Sequence, residues 1–179
     1  YLQTSFIHDN WNKSVNPYKI SATLEKGKDY LKTWIEGQYK ISYYLNEGLT
    51  IQLFGGTFLN KSADLPWNYA FHLSGQSGFT DYLYENTYLG RFEPPQYENA
   101  IRIFTQQFYP AEGGFALYSP LGITNDWLAS VNMESTLPLI EEIPVFAYGN
   151  FGMFGDIKDS PVDVSNKKWA WESGFKLSF

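Results

Sequence analysis

Cysteine is absent, so neither a disulfide framework nor a thiolate metal site can hold this chain together. Arginine occurs only as Arg91 and Arg102, and histidine only as His8 and His72. With a net charge of -6, a pI near 4.9 and no basic patch, the composition argues against nucleic acid as a partner. The two histidines fall in different predicted strands without metal-ligand spacing. There is no His-Glu-x-x-His helix, no P-loop and no strand-turn-helix around a Gly-x-Ser-x-Gly. No catalytic, cofactor-binding or metal residue is therefore assigned. Long apolar runs are missing too. Mean hydropathy is -0.33, and no stretch approaches the roughly 20 apolar residues of a spanning helix. That excludes a helical membrane protein but not a membrane β-barrel, whose strands average out to a polar composition. The opening YLQTSFIH lacks the charged leader and apolar core of a signal peptide and reads as strand. The chain is expected to begin in the middle of something larger.

What the sequence has in abundance is aromatic side chains: 14 Tyr, 14 Phe and 6 Trp, 19% of its 179 residues. Such enrichment suits strands, sugar-binding faces and the interfacial girdles of membrane barrels. It also has a period of two. In WAWESGFKLSF (169–179), Trp169, Trp171, Phe175, Leu177 and Phe179 share one face, with Glu172, Gly174 and Lys176 on the other. Over 30–45, Leu31, Thr33, Ile35, Gly37, Tyr39, Ile41, Tyr43 and Leu45 alternate with Tyr30, Lys32, Trp34, Glu36, Gln38, Lys40, Ser42 and Tyr44. Soluble strands usually run about five or six residues, whereas a tilted membrane strand needs about 9–11. Similar alternation predicts strands over 1–8, 17–26, 49–59, 67–76, 125–137 and 143–154, about eight in all. Lys26-Gly27-Lys28-Asp29 and Asn46-Glu47-Gly48 are hairpin turns, and Pro17, Pro66, Pro138 and Pro144 sit at strand edges. Nothing keeps a helical period, and no strict repeat is found.

Length allows one domain, 1–179, interrupted by a Tyr-, Phe-, Gly- and Pro-rich segment at 77–124. Alternation alone leaves two orientations open. In a soluble sandwich or eight-stranded barrel the aromatics pack inside, and Lys19, Glu25, Lys32, Glu36, Gln38, Lys40, Glu134, Glu172 and Lys176 meet bulk water. In a membrane barrel the aromatics face lipid and the charges pair in a hydrated lumen. Strand length, with Tyr and Trp near strand ends, favours the second.

Weaker chemical candidates have plainer readings. Glu141 and Glu142 are adjacent and diverge in a turn. Glu36 and Glu134 pair only if long-range folding joins them. Asn125-Asp126 and Asp156–Asp159 have the oxygens for a hard cation, though solvated loop acids account for them. The Trp and Tyr content would also suit a sugar platform.

Three stretches carry a family resemblance: TDYLYENTYLGRFE (80–93), FTQQFYPAEGGF (104–115) and WLASVNMESTLPLIEEIPVFAYGNFGMFGD (127–156). The last resembles late strands of the BamA/TamA bacterial surface antigen superfamily. Asn132, Glu134 and Pro138 match its S-x-E-x-R-x-P strand, and Phe146, Gly149, Gly152 and Asp156 loosely match the next. The first two look closer to the C-terminal barrel of outer-membrane proteins that carry an aminopeptidase-N-like (gluzincin) metallopeptidase domain. The matching residues are Asp81, Tyr82, Leu83, Tyr88, Gly90 and Arg91, then Gln106, Gln107, Phe108, Ala111, Glu112, Gly113, Gly114 and Phe115. The match covers 77–179 well and earlier strands by pattern only.

The resemblance implies an all-β, antiparallel transmembrane β-barrel of the Gram-negative outer membrane. About eight strands of a larger, 16-stranded barrel would be present, with 77–124 as a long lid loop folded into the lumen. Membrane lipid, lipopolysaccharide, the rest of the barrel and other envelope proteins are the implied partners. Any zinc would sit in an upstream peptidase domain. Family lids carry Arg before Gly-Phe or Gly-Tyr; Glu112-Gly113 stand there here, which puts the usual lid contact in doubt, and Arg91 and Arg102 are the alternative sources of a guanidinium. The turn at 138–142 is expected in the periplasm and the loop 156–166 outside. Two more strands normally follow Phe179, so a fragment is expected, although a terminal aromatic is also the usual outer-membrane end signal. Anchoring and gating of a larger envelope protein is the leading expectation. A barrel-assembly or translocation factor, and a soluble ligand- or carbohydrate-binding barrel or sandwich, stand as alternatives.

Overall fold

A computed structural model describes residues 1–10, 15–43, 47–63, 65–66, 69–73, 113–115, 122–137, 145–155 and 168–177. They form nine strands: β1 (Leu2–Asp9), β2 (Tyr18–Lys26), β3 (Tyr30–Ser42), β4 (Gly48–Lys61), β5 (Phe71–His72), β6 (Ile123–Thr124), β7 (Trp127–Leu137), β8 (Val145–Phe154) and β9 (Trp169–Leu177). Seven make one antiparallel sheet in the order β1-β2-β3-β4-β7-β8-β9, and β5 pairs only with β6. Every neighbour in the large sheet is thus the next long strand in the chain, the arrangement that short connections favour. Its outermost strands, β1 and β9, each have one described neighbour.

The strands form where period-two alternation is unbroken. β3 spans 13 residues and β4 spans 14. A register shift between Leu31 and Lys32 marks a bulge, which leaves Leu59 as an extra residue on β4. The predicted turn at Gly27 is present, closed by the Gly27 N–H donating to the Tyr30 carbonyl at 3.0 Å.

Register collects the alternating residues into two faces. One row reads Ile20, Gly37, Leu53, Val131, Phe151, Trp171 across six strands; the row beside it reads Tyr18, Tyr39, Ile51, Met133, Gly149, Ser173. This face is open. Ile20, Leu24, Ile35, Ile41, Leu53, Trp127, Met133 and Met153 are all exposed on it. The opposite face carries Ser21, Thr23, Glu25, Lys32, Ser130, Asn132, Asn150 and Glu172, all buried. The usual relation is therefore inverted: the apolar face is uncovered and much of the polar face is covered.

Residues 69–73, 113–115 and 122–124 do the covering. His72–Leu73 lies between two flanking segments. The Leu73 N–H donates to Gly122 O (3.0 Å), Phe115 N–H to Leu73 O (3.0 Å), and Gly113 N–H to His72 O (3.2 Å). Phe71, Leu73 and Phe115 pack on Phe54, Leu128 and Phe154 of the sheet, with Trp34, Phe58 and Ala170 at the rim. This is a correction to the strand expected over 67–76. Its described strand is only Phe71–His72, outside the large sheet, and Phe71, His72 and Leu73 are all buried rather than split between faces.

Candidate functional site

The covered face has an apolar half and a polar half. In the apolar half, Phe71 meets Phe58, Phe54 and Trp34 edge-on, with ring centroids 5.2, 5.7 and 6.5 Å away. Room for the covering segments comes from missing side chains on the wall. A Cβ on Gly56 would stand 2.7 Å from Phe71, and one on Gly152 2.3 Å from Leu73.

Beside this core lies a buried charge pair. Lys32 Nζ is 3.9 Å from Glu25 Oε1, both side chains almost wholly inaccessible. Tyr30 donates its hydroxyl to the same Glu25 oxygen. The ammonium sits 5.3 Å from the ring centroids of both Trp34 and Phe71, 5.9 Å from Tyr30 and 6.0 Å from Phe58. It also donates to the Tyr69 carbonyl at 3.4 Å. Lys32 thus joins the wall (β2 and β3) to the covering segment at 69–71. Coulomb attraction, cation–π contacts and a carbonyl offset the loss of water around the ammonium.

In the polar half, register aligns Gln38, Gln52, Asn132, Asn150 and Glu172 on five neighbouring strands. Asn132 Nδ2 donates to Gly113 O at 3.0 Å and Asn150 Nδ2 to Gly114 O at 3.5 Å. Asn150 Nδ2 also donates to Glu172 Oε1, at 2.5 Å. Gly114 has φ +77, and a Cβ there would lie 2.4 Å from Asn132 Nδ2. Both constraints require glycine. Below this contact is a recess of about 180 Å³, lined by Gln38, Thr50, Gln52, Tyr148 and the Glu134–Lys176 ion pair, which closes at 3.3 Å.

Among the lid residues singled out above, Gly113, Gly114 and Phe115 are buried against the wall. Asp81, Tyr82, Tyr88, Gly90, Arg91, Gln107, Phe108 and Glu112 lie outside the described residues, as do Arg102, Glu141, Glu142 and Asp156–Asp159. At Gly113-Gly114 the wall contact uses main-chain carbonyls and asparagine amides. Glu36 and Glu134 do not pair: Ser21 donates to Glu36 at 3.3 Å, while Glu134 holds Lys176. Asn125 offers its carbonyl and side-chain oxygens to the Lys61 ammonium, so they already hold a cation. His8, on the outermost strand β1, is hydrogen-bonded to Tyr18 at 3.0 Å, whereas His72 belongs to the separate β5–β6 pair. Sequence reasoning missed the amide row because it depends on register between strands distant in the chain, and the Lys32 cage because Tyr69 and Phe71 reach the Glu25–Lys32 hairpin pair only through tertiary packing. Trp34, Phe54, Phe58 and Phe154 were the available signal: they are large apolar residues on an otherwise polar face.

Compared with family models, with curated proteins and with solved structures, the chain matches none.

Proposed function

We propose that this chain is the wall of a membrane-spanning β-barrel, closed on its inner side by a folded-in plug. Its role is to anchor a larger envelope protein in the outer membrane and to gate the passage through the wall.

The observation that carries the reading is the inverted burial. Tyr39, Phe151, Trp169, Trp171 and Phe175 are 41, 45, 51, 65 and 74% exposed. At about 150–250 Å² per aromatic side chain, these five alone leave on the order of 500 Å² uncovered. That already equals the largest apolar patch of an ordinary soluble monomer. At roughly 25 cal/mol per Å², keeping it in water costs about 12 kcal/mol, as much as a whole domain's stability. Acyl chains remove that cost. Strand length agrees. Fourteen residues of β4 extend about 45 Å at roughly 3.3 Å each, which a tilt near 45° reduces to about 32 Å, the thickness of the hydrocarbon layer. Against the soluble sandwich stands the exposure of Trp169, Trp171 and Tyr39, which that alternative buries.

Gating rests on the plug. Segments 69–73 and 113–115 occupy the polar face, held by Lys32 and by the Asn132 and Asn150 amides. The reading also requires that the outer edges of β1 and β9 be paired, with each other or with further strands, since hydrocarbon does not tolerate open backbone groups.

Because the chain has no cysteine, single spin labels need no background removal. In lipid vesicles, labels at Ile35, Leu53 and Phe151 should be relaxed by oxygen in preference to a water-soluble nickel complex, and labels at Gln38 and Gln52 the reverse. The opposite pattern, or a chain that stays soluble and monomeric without detergent, would overturn the proposal.

A further inference from the structure

Under Gly114 the polar face keeps a recess of about 180 Å³ that neither anchoring nor plugging uses. About 30 Å³ per water molecule makes this the volume of roughly six waters. Its walls combine amides and hydroxyls with the Glu134–Lys176 pair and the apolar Met133. Gln38, Gln52 and Asn132 offer amides, each with two donors and an acceptor; Thr50 and Tyr148 offer hydroxyls that both donate and accept. The charges present cancel, since Glu134 and Lys176 meet at 3.3 Å. Asn132 is 7% exposed: its Nδ2 is engaged by Gly113 and its Oδ1 is closed off from solvent, so the wall groups within reach of a ligand are those of Gln38, Gln52, Thr50 and Tyr148.

We infer that this recess binds one ring of a neutral polyhydroxy compound, a pyranose unit, through the Gln38 and Gln52 amides and the Thr50 and Tyr148 hydroxyls. Closely spaced groups that each donate and accept match adjacent hydroxyls, which do the same. The balanced charge disfavours phosphate and simple cations: a phosphate would have to displace Glu134 from Lys176, and a cation the reverse. The volume is too small for an extended peptide. Register sets the spacing, because Gln38, Gln52 and Asn132 are opposite one another on adjacent strands, about 4.8 Å apart. The site goes beyond the anchoring role and does not depend on what covers the apolar face.

The test is saturation-transfer NMR on the full chain in a zwitterionic detergent without a sugar headgroup, with maltose as probe. Maltose ring protons should receive saturation, and titration should show saturable millimolar binding. Gln52→Ala and the near-isosteric Thr50→Val should each weaken it five- to tenfold with the far-UV circular dichroism unchanged. Ile51→Ala, on the same strand but the other face, should leave it unaltered. The inference is overturned by the absence of transfer in the parent chain. It is overturned equally by transfer that survives both recess substitutions, or by displacement of maltose with inorganic phosphate or diglycine at the same concentration.

Discussion

Leu53→Arg separates the two possible surroundings of the apolar face more sharply than any other single change. Leu53 is on β4, the fourth of seven strands, with Gly37 and Val131 as its cross-strand partners, and it is half exposed. If water covered this face, arginine there would trade one exposed side chain for another, within about 0.5 kcal/mol. On the membrane reading the same guanidinium enters the middle of the hydrocarbon, next to a glycine that offers it nothing to pair with. The cost there is about 2–4 kcal/mol. At 1.4 kcal/mol per decade, that is roughly a 30- to 700-fold loss in the folding equilibrium constant. Phe175→Arg, near the end of β9, supplies the internal comparison, since the same charge near an interface costs about 0–1 kcal/mol. The assay is reversible denaturant unfolding in phospholipid vesicles, followed by tryptophan emission. A tenfold or greater gap between the two variants is expected. Equal stabilities, with Leu53→Arg also increasing solubility in plain buffer, would refute the orientation on which the membrane reading rests.

Lys32→Ala should cost about 3–5 kcal/mol in the same assay because it leaves Glu25 charged and buried; Lys32→Met combined with Glu25→Gln should recover most of that loss. Gly114→Ala forces a side chain into a positive-φ position against Asn132, and is expected to raise protease cleavage near 113–115 while β3 and β4 amides keep their hydrogen-exchange protection. Phe71→Ala removes the ring at the centre of the plug contact. A loss of about 3–5 kcal/mol is expected, together with greater conductance in planar bilayers on the gating reading; an unchanged current would count against gating. By contrast, Lys176→Ala should change stability by no more than about 1 kcal/mol, since the Glu134 pair is half exposed and screened by water.

How much of this was legible beforehand depends on the range of the interaction. Period-two alternation is a local property, so the strands Tyr30–Ser42, Trp127–Leu137 and Trp169–Leu177 could be recognised within 30–45, 125–137 and 169–179, and the residues sharing each face could be named, without knowing any partner. Ile35, Tyr39, Val131 and Trp171 do fall on a single face. Alternation could not say which side of the sheet is covered, because a ribbon with one apolar face has the same sequence whether that face turns inward or outward. The fold decided it, by laying 69–73 and 113–115 on the polar side. The misreading of 67–76 has the same origin: Phe71, His72 and Leu73 alternate apolar, polar, apolar like a two-faced strand, yet packing buries all three. The amide row and the cage around Lys32 were invisible for a stricter reason. Members of the amide row are separated by up to 134 positions, Gln38 to Glu172, and become neighbours only when hydrogen-bonded register sets one strand against the next; the cage forms only when Tyr69 and Phe71 of the covering segment pack on the Glu25–Lys32 hairpin pair. Sequence alone determined the strands and their two faces, whereas the tertiary structure decided which face is hidden and which distant polar groups meet, since these depend on contacts the local chain does not encode.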